Sequence, residues 1–347
     1  MTNMSSSSIQ PSSSNNPLKA ITRFVGAENL SLIIALVLLV ALIASQTPFF
    51  FAPRNLMNIG MNLSVVGLLG VGMTIVIVSG ALDISVGSIA GVASVVSAML
   101  VTYAGTVLGG VLAGAILGVV NAAIITYLRV NAVVATLATL SAYRGLAFLI
   151  APEGRPIGVL DQNFAWLGSG RILEGGGFPG IPVSLILLII IAAIGHFVMS
   201  STVFGRAVYS MGGNPAAARL AGINLNRMKF YIFTISGALA GLAGVLVTAR
   251  TSSGQPASGT QGLELEAITA VFLGGAILAG GKGTIVGTML AVVLLATLSN
   301  GMNLLGIPTF YQLVAKGFLL VVAVAIGQWR MARAEKTQAR AAAATGS

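Results

Sequence analysis

Long apolar runs dominate this sequence and constrain its fold more than any other feature. A helix that crosses the hydrocarbon core of a bilayer needs about 20 consecutive apolar residues. Ten stretches approach that length: 30–50, 62–81, 84–104, 106–128, 132–150, 182–201, 230–249, 265–280, 283–301 and 309–329. In lipid, backbone groups must find their partners within the segment, so runs of this kind fold as helices. The punctuation agrees, because Pro53 with Arg54, Asn131, the Gly/Pro-rich stretch 151–182 and Pro308 all fall between runs. The expected fold class is an all-α polytopic integral membrane protein with about ten transmembrane helices. The runs 84–104 and 265–301 are rich in glycine, which leaves room for broken or re-entrant helices and for eight to eleven spans.

Charge supports the same class. The 347 residues hold 18 Lys and Arg and 8 Asp and Glu, or 7% charged, where a soluble domain carries about a quarter. Hydrophobic residues make up 56%, too many for a fold that must coat its outside with polar groups. A cytosolic enzyme is excluded. Nucleic acid is excluded as a partner, since so few basic residues over this length cannot build a phosphate-binding face. The chain has no Cys, hence no disulfide framework, thiolate metal site or cysteine nucleophile.

The basic residues are sorted by side. With ten spans and a cytoplasmic N-terminus, the inner segments hold Lys19, Arg23, Arg129, Arg206, Arg219, Arg227, Lys229, Lys282, Arg330, Arg333, Lys336 and Arg340. The outer loops hold only Arg54, Arg155, Arg171 and Arg250, with Glu153, Asp161 and Glu174 beside them. That is the asymmetry of the positive-inside rule, and it places both termini in the cytoplasm. The organisation read from it has three parts. Residues 1–27 form a Ser/Asn-rich tail too polar to order, with Lys19 and Arg23 leading into a retained signal-anchor helix. Residues 28–329 form the membrane domain, with an outer loop at 151–182 and a cytoplasmic loop at 202–229. Residues 330–347 form a basic cytoplasmic tail.

Glycine is abundant, at 44 residues, and much of it lies inside the runs. Gly110, Gly114 and Gly118 share one helical face, where backbones can approach closely. Tight packing within the chain is one reading, and a contact between two copies is the other. The sequence Gly280-Gly281-Lys282-Gly283-Thr284 imitates a phosphate-binding loop, but Ala276 stands where the first glycine is required and Gly283 where the hydroxyl is. It reads as a tight turn between helices. His196 has no His or Cys at ligand spacing and reads as a packed or hydrogen-bonded helix residue.

Two polar features stand out. In the cytoplasmic loop, Gly212-Gly213-Asn214-Pro215 supplies a turn, an N-cap and a proline at the first helical position, and Gly222 suits the left-handed residue past the end. The short helix expected at 215–221 cannot be stable alone, so it must dock on something. That is either its own transmembrane helices or a cytoplasmic partner. Asp83 is the second feature, an acid between two apolar runs. It reads either as a helix cap, favoured by the dipole, or as part of a translocation path, since intramembrane acids are costly. Glu264 and Glu266 fall in the first turn of an expected span, where dipole compensation explains them. Arg144 and Lys316 lie inside runs and either snorkel or pair with an acid.

Several stretches then fall into a familiar order: Val71-Gly72-Met73-Thr74; Asp83-Ile84-Ser85-Val86-Gly87-Ser88; Met211-Gly212-Gly213-Asn214 with Gly222-Ile223-Asn224; Gln255-Pro256; Glu264-Leu265-Glu266-Ala267-Ile268; and Ala279-Gly280-Gly281-Lys282-Gly283. Together, over residues 30–328, they resemble the ribose-type ABC sugar importer permeases. The resemblance implies a bacterial inner-membrane subunit that works with a periplasmic sugar-binding protein, a cytoplasmic ABC ATPase and a second permease copy, as a homodimer. ATP and Mg²⁺ would be bound by the ATPase, with no cofactor on this chain. It also implies that Gly212, Gly213, Asn214, Pro215, Ala216, Ala217, Arg219 and Gly222 form the segment that couples to the ATPase. Two positions depart from the pattern: Pro215 replaces an acidic or variable residue, and Ala81 replaces a common second glycine.

Asp83, Ser85, Ser88, Asn121, Asn131, Thr136, Asn303 and Gln312 are candidates to line a path, each with the alternative of bonding a neighbouring helix. The rival function is an ion-coupled secondary transporter or channel for a small polar solute, which needs no ATPase.

Overall fold

The computed structural model describes residues 27–103, 108–176 and 179–345. The expected disordered tail therefore lies outside the described residues, apart from Ala27. Thirteen α-helices are described: α1 (Ala27–Gln46), α2 (Pro53–Val78), α3 (Val86–Tyr103), α4 (Leu108–Tyr127), α5 (Ala132–Ile150), α6 (Gln162–Ser169), α7 (Val183–Ser201), α8 (Val203–Gly213), α9 (Pro215–Leu220), α10 (Leu225–Thr251), α11 (Leu263–Leu273), α12 (Ile285–Leu304) and α13 (Thr309–Thr345). Extended structure among the described residues is confined to two antiparallel pairs in the loops, Ile157–Gly158 with Ser253–Gly254 and Arg171–Ile172 with Ile181–Pro182.

Each of the ten apolar runs contains one helix, but the ten are not equivalent. Eight are long and apolar enough to cross a membrane, while α3 and α11 are shorter. The expected span at 265–280 stops at Leu273, because Gly274 and Gly275 (φ 94°) end the helix and glycines at 280, 281 and 283 hold a left-handed, irregular segment after it. Eleven residues rise about 16 Å, roughly half the hydrocarbon core. The break falls in one of the two glycine-rich regions.

Depth of burial orders the helices. In α2, 83% of the spanning window is covered by the rest of the chain, and in α10, 61%. For α1 and for the apolar window of α13 within residues 309–329 the figures are 11% and 12%, so most of their described apolar side chains face outward, as lipid-exposed helices do. The centre is held by close backbone approach. A Cβ on Gly114 would stand 2.3 Å from the Gly237 carbonyl oxygen and 2.6 Å from Gly241 Cα; one on Gly118 would stand 2.2 Å from Phe233 O. The glycine face of α4 is thus spent on α10 within the chain and not on a second copy. Interhelical hydrogen bonds add to the packing: Asn55 with Asn300, Thr74 with Thr288 (2.8 Å) and Ser94 with Thr248 (2.7 Å).

Chain ends of helices obey local rules. Gly80 (φ 82°) closes α2 with two bonds, Gly80 N–H to Ile77 O and Ala81 N–H to Val76 O. Ala81 follows the left-handed residue and needs no positive φ of its own, so its departure from the glycine pattern costs nothing. Gly222 closes α9 in the same way, with Gly222 N–H donating to Arg219 O and Ile223 N–H to Ala218 O.

His196 differs from expectation. It lies on the exposed face of α7 and is not packed inside.

Candidate functional site

Residues 202–229 form a compact unit at one end of the bundle. Thr202 caps α8 by accepting from Gly205 N–H (3.2 Å). Asn214 ends α8 and starts α9, its side chain accepting from Ala217 N–H at 3.0 Å, with Pro215 at the first helical position. The helix runs to Leu220, within one residue of the expected end. Of its residues only Ala218 is buried; Ala216, Ala217 and Arg219 are exposed, and Leu220 is 90% exposed. The helix is therefore anchored by one side chain and presents an apolar surface outward.

Its seat is built from glycine backbone. A Cβ on Gly212 would stand 1.9 Å from Val78 O and 2.6 Å from Gly281 N; one on Gly280 would stand 2.7 Å from Gly80 Cα. Gly281 N–H donates to Val78 O (2.8 Å), and the Tyr209 hydroxyl donates to Gly283 O (2.7 Å). Burial pushes the Tyr209 phenol above its usual range, so it stays protonated and able to donate. Gly213 is different, since a Cβ there would meet nothing within 4 Å. The phosphate-loop lookalike at 280–284 is thus the turn against which α8 ends. Three segments far apart in sequence (79–80, 212–213 and 280–281) touch backbone to backbone.

Deeper in the bundle, Asp83 organises a buried polar network. Its Oδ1 accepts from Ser85 N–H (3.0 Å) and Ser85 Oγ (2.6 Å), just ahead of α3, and its Oδ2 accepts from Ser236 Oγ (3.4 Å). Asn121 donates to Ser85 Oγ (2.7 Å) and accepts from the Tyr143 hydroxyl (3.0 Å). Ser88 donates to Ser85 O (2.8 Å). Asp83, Ser85, Ser88 and Asn121 are completely covered by the chain. Ser236 lies about 16 Å along α10 from its first residue, so the 79–85 segment dips into the bundle before α3 starts. Of the candidate path residues the fold gathers these four. Ser236 and Tyr143 complete the network and were missed, although Ser236 shows in the sequence as a hydroxyl within an apolar run.

Of the remaining candidates, Thr136 is buried next to the network, its hydroxyl 3.3 Å from Leu82 O, and the others lie elsewhere. Asn131 caps α5, accepting from Val133 N–H (2.9 Å), and Thr136 donates within that helix to Ala132 O (2.8 Å). Gln312 donates to Asn303 Oδ1 (2.7 Å) and Ile307 O (3.2 Å), which ties the turn between α12 and α13. Asn131, Asn303 and Gln312 make no bond to the Asp83 network.

A second polar group surrounds the start of α11. Segment 252–262 leaves α10 at Ser252 (φ 49°) and turns back into the bundle, with Gln255 N–H donating to Ser94 Oγ (2.9 Å). It reaches the first turn of α3, where a Cβ on Gly87 would stand 2.9 Å from Thr260 O. The N-terminal ends of α3 and α11 therefore meet inside the protein. Arg144 donates to Thr260 Oγ1 (2.9 Å) and Pro256 O (3.4 Å), Lys316 pairs with Glu266, and Glu264 is buried with Oε2 unpartnered. Both basic residues inside spans are thus engaged and do not snorkel.

A polytopic bundle with discontinuous helices meeting at membrane depth, and an exposed short helix seated on its end, defines a membrane permease. The chain belongs to the branched-chain amino acid transport system / permease component family, whose pattern matches residues 55–324. It is 39% identical to the ribose import permease protein RbsC of Escherichia coli K12 over 302 residues, which covers 85% of this chain and 92% of that protein. It is 40% identical to RbsC of Bacillus subtilis, with 86% and 92% covered. It is 36% identical to the L-arabinose ABC transporter permease protein AraH of Azospirillum brasilense, with 86% and 87% covered. No solved structure matches significantly.

Proposed function

We propose that this chain is the membrane subunit of an ATP-driven importer for a monosaccharide or related polyol in the bacterial inner membrane. In this reading a cytoplasmic ABC ATPase carries ATP and Mg²⁺, a periplasmic binding protein delivers the sugar, and two permease copies enclose the path. The chain itself catalyses no reaction, and both termini are cytoplasmic. Relatives named as ribose and arabinose permeases, at 36 to 40% identity across most of the chain, support a sugar over an amino acid.

The observation that carries the coupling assignment is the contrast within α8–α9: Gly212 is locked against Val78 and Gly281, while Gly213, Ala217 and Leu220 face outward. A partner gripping the exposed side of α9 pushes directly on the end of α2 and on the α11–α12 turn. Gly212, Asn214 and Gly222 set the shape of the segment; Gly213, Pro215, Ala216, Ala217 and Arg219 meet the ATPase. Asp83, Ser85, Ser88 and Asn121 form the frame that holds the start of α3, so that motion of the turns opens the path next to it. Asn131 caps α5, and Asn303 and Gln312 brace the α12–α13 turn, away from that frame.

Reconstitution in proteoliposomes with the ATPase and binding protein tests the reading. Uptake of sugar that requires ATP hydrolysis is expected. Uptake that persists without the ATPase, driven by an ion gradient, would make the chain a secondary transporter.

A further inference from the structure

A cavity of about 990 Å³ opens beneath the α8–α9 segment, between it and the α4–α5 turn. Three cationic residues line it, Arg129, Arg219 and Lys229, and no acidic residue does. Among the described residues none of the three makes an ion pair. Three like charges around one space repel each other, which is tolerable only when an anion or bulk solvent screens them. The first turns of α5 and α10 also open on the cavity and add partial positive charge.

The surroundings indicate where the anion comes from. Arg129 directly follows Tyr127 and Leu128, which are 75% and 70% exposed, and Lys229 directly precedes Phe230 and the exposed Tyr231. The rings of Tyr127 and Phe230 meet at 5.7 Å. Aromatic side chains of this kind sit at headgroup level. On the same helix as Tyr127, Leu112, Ile116, Val119 and Val120 form an exposed apolar stripe along α4, whose last turn lines the cavity through Ile125 and Thr126. A single molecule with an anionic head and apolar chains matches both surfaces.

We propose that this cavity holds the phosphate headgroup of an anionic glycerophospholipid, with its acyl chains along α4. Arg129 and Lys229 bind the phosphate. Arg219 reaches the same space from α9, so a bound lipid links the membrane surface to the docking segment. The inference needs only that this end of the molecule lies at a membrane surface; whether the chain transports a sugar does not enter the measurement.

The test is native mass spectrometry of the delipidated full chain, titrated with phosphatidylglycerol and with phosphatidylcholine. Phosphatidylglycerol is expected to be retained at least about tenfold better, since basic residues near the surface attract anionic headgroups. The double substitution Arg129→Gln/Lys229→Gln is expected to abolish the preference, and Arg129→Lys/Lys229→Arg to keep it. Equal retention of the two lipids by the native chain overturns the proposal, and so does an unchanged preference in the double Gln variant. Displacement of the lipid by equimolar inorganic phosphate overturns it in favour of a free-phosphate site. Loss of the lipid when the ATPase assembles overturns it in favour of an acidic protein segment. A photoactivatable phosphatidylglycerol on the native chain requires no variant to fold: labelling at 129–132 and 225–231 is expected, and labelling only elsewhere sinks the idea.

Discussion

Two places in this protein are built from glycine backbone pressed on glycine backbone, and they differ in kind. In the seam between α4 and α10, Gly110, Gly114 and Gly118 meet Phe233, Gly237 and Gly241 over more than two helical turns. At the end of the bundle, Gly80, Gly212 and Gly280 meet at a single point where three turns converge. A seam of successive contacts between two long helices can shift only by breaking all of them together, so it behaves as one rigid body. A one-point joint between turns can pivot. The first arrangement holds the permease together, and the second joins it to the segment that a partner would move.

Substitutions can break or sharpen that contrast. The largest effect is expected in the seam: Gly114→Val places a side chain on backbone atoms 2.3 to 2.8 Å from its Cβ, with no flexible neighbour to yield. A loss of about 3 kcal/mol or more is expected, read as failure to elute as a monodisperse species. Gly212→Ala strikes the joint, where Val78 O is 1.9 Å from the new Cβ. About 1 to 3 kcal/mol should be lost, and ATP-driven uptake should fall much further than stability does, because the joint shifts without dissolving the bundle. Wild-type uptake by this variant would show that the joint transmits nothing.

Asn121→Leu keeps the branched shape but removes the amide that bridges Ser85 Oγ and the Tyr143 hydroxyl, which keep Asp83 Oδ1 and Leu117 O as their other partners. A loss of about 0.5 to 1.5 kcal/mol for each hydrogen bond removed is expected in thermal unfolding. The smallest structural effect belongs to Gly213→Trp, which points into open space and should change stability by less than about 0.5 kcal/mol. It should nonetheless abolish co-purification of the ATPase and uptake. A folded Gly213→Trp protein that still transports would place the docking surface elsewhere.

Much of this was legible in the residues. Apolar length marked each helix-bearing run, because a bilayer imposes one repeated requirement. The punctuation of α9 was equally readable: Asn214, Pro215 and Gly222 each serve a local role that depends on neighbours within four residues. The glycine periodicity of α4 was visible too, though not what it packs on. Where legibility failed, the partner was distant. Nothing near Gly280 announces Gly80 and Gly212. Ser236 and Tyr143 look unremarkable until α10 and α5 bring them to Asp83 and Asn121. The short α11 was read too long because Ile268 to Leu278 remains apolar while glycine backbone, not hydropathy, ends the helix.

The sequence by itself determined the class of protein, the order of its apolar helices and the shape of its exposed helix. These follow from hydropathy and short-range backbone chemistry, which act within a few residues. The tertiary structure alone decided which glycines touch, how the Asp83 network closes, that two helix starts meet inside the bundle and that three cations share one cavity. Each of these is a pairing across tens to hundreds of residues, and only the packing of the helices selects it.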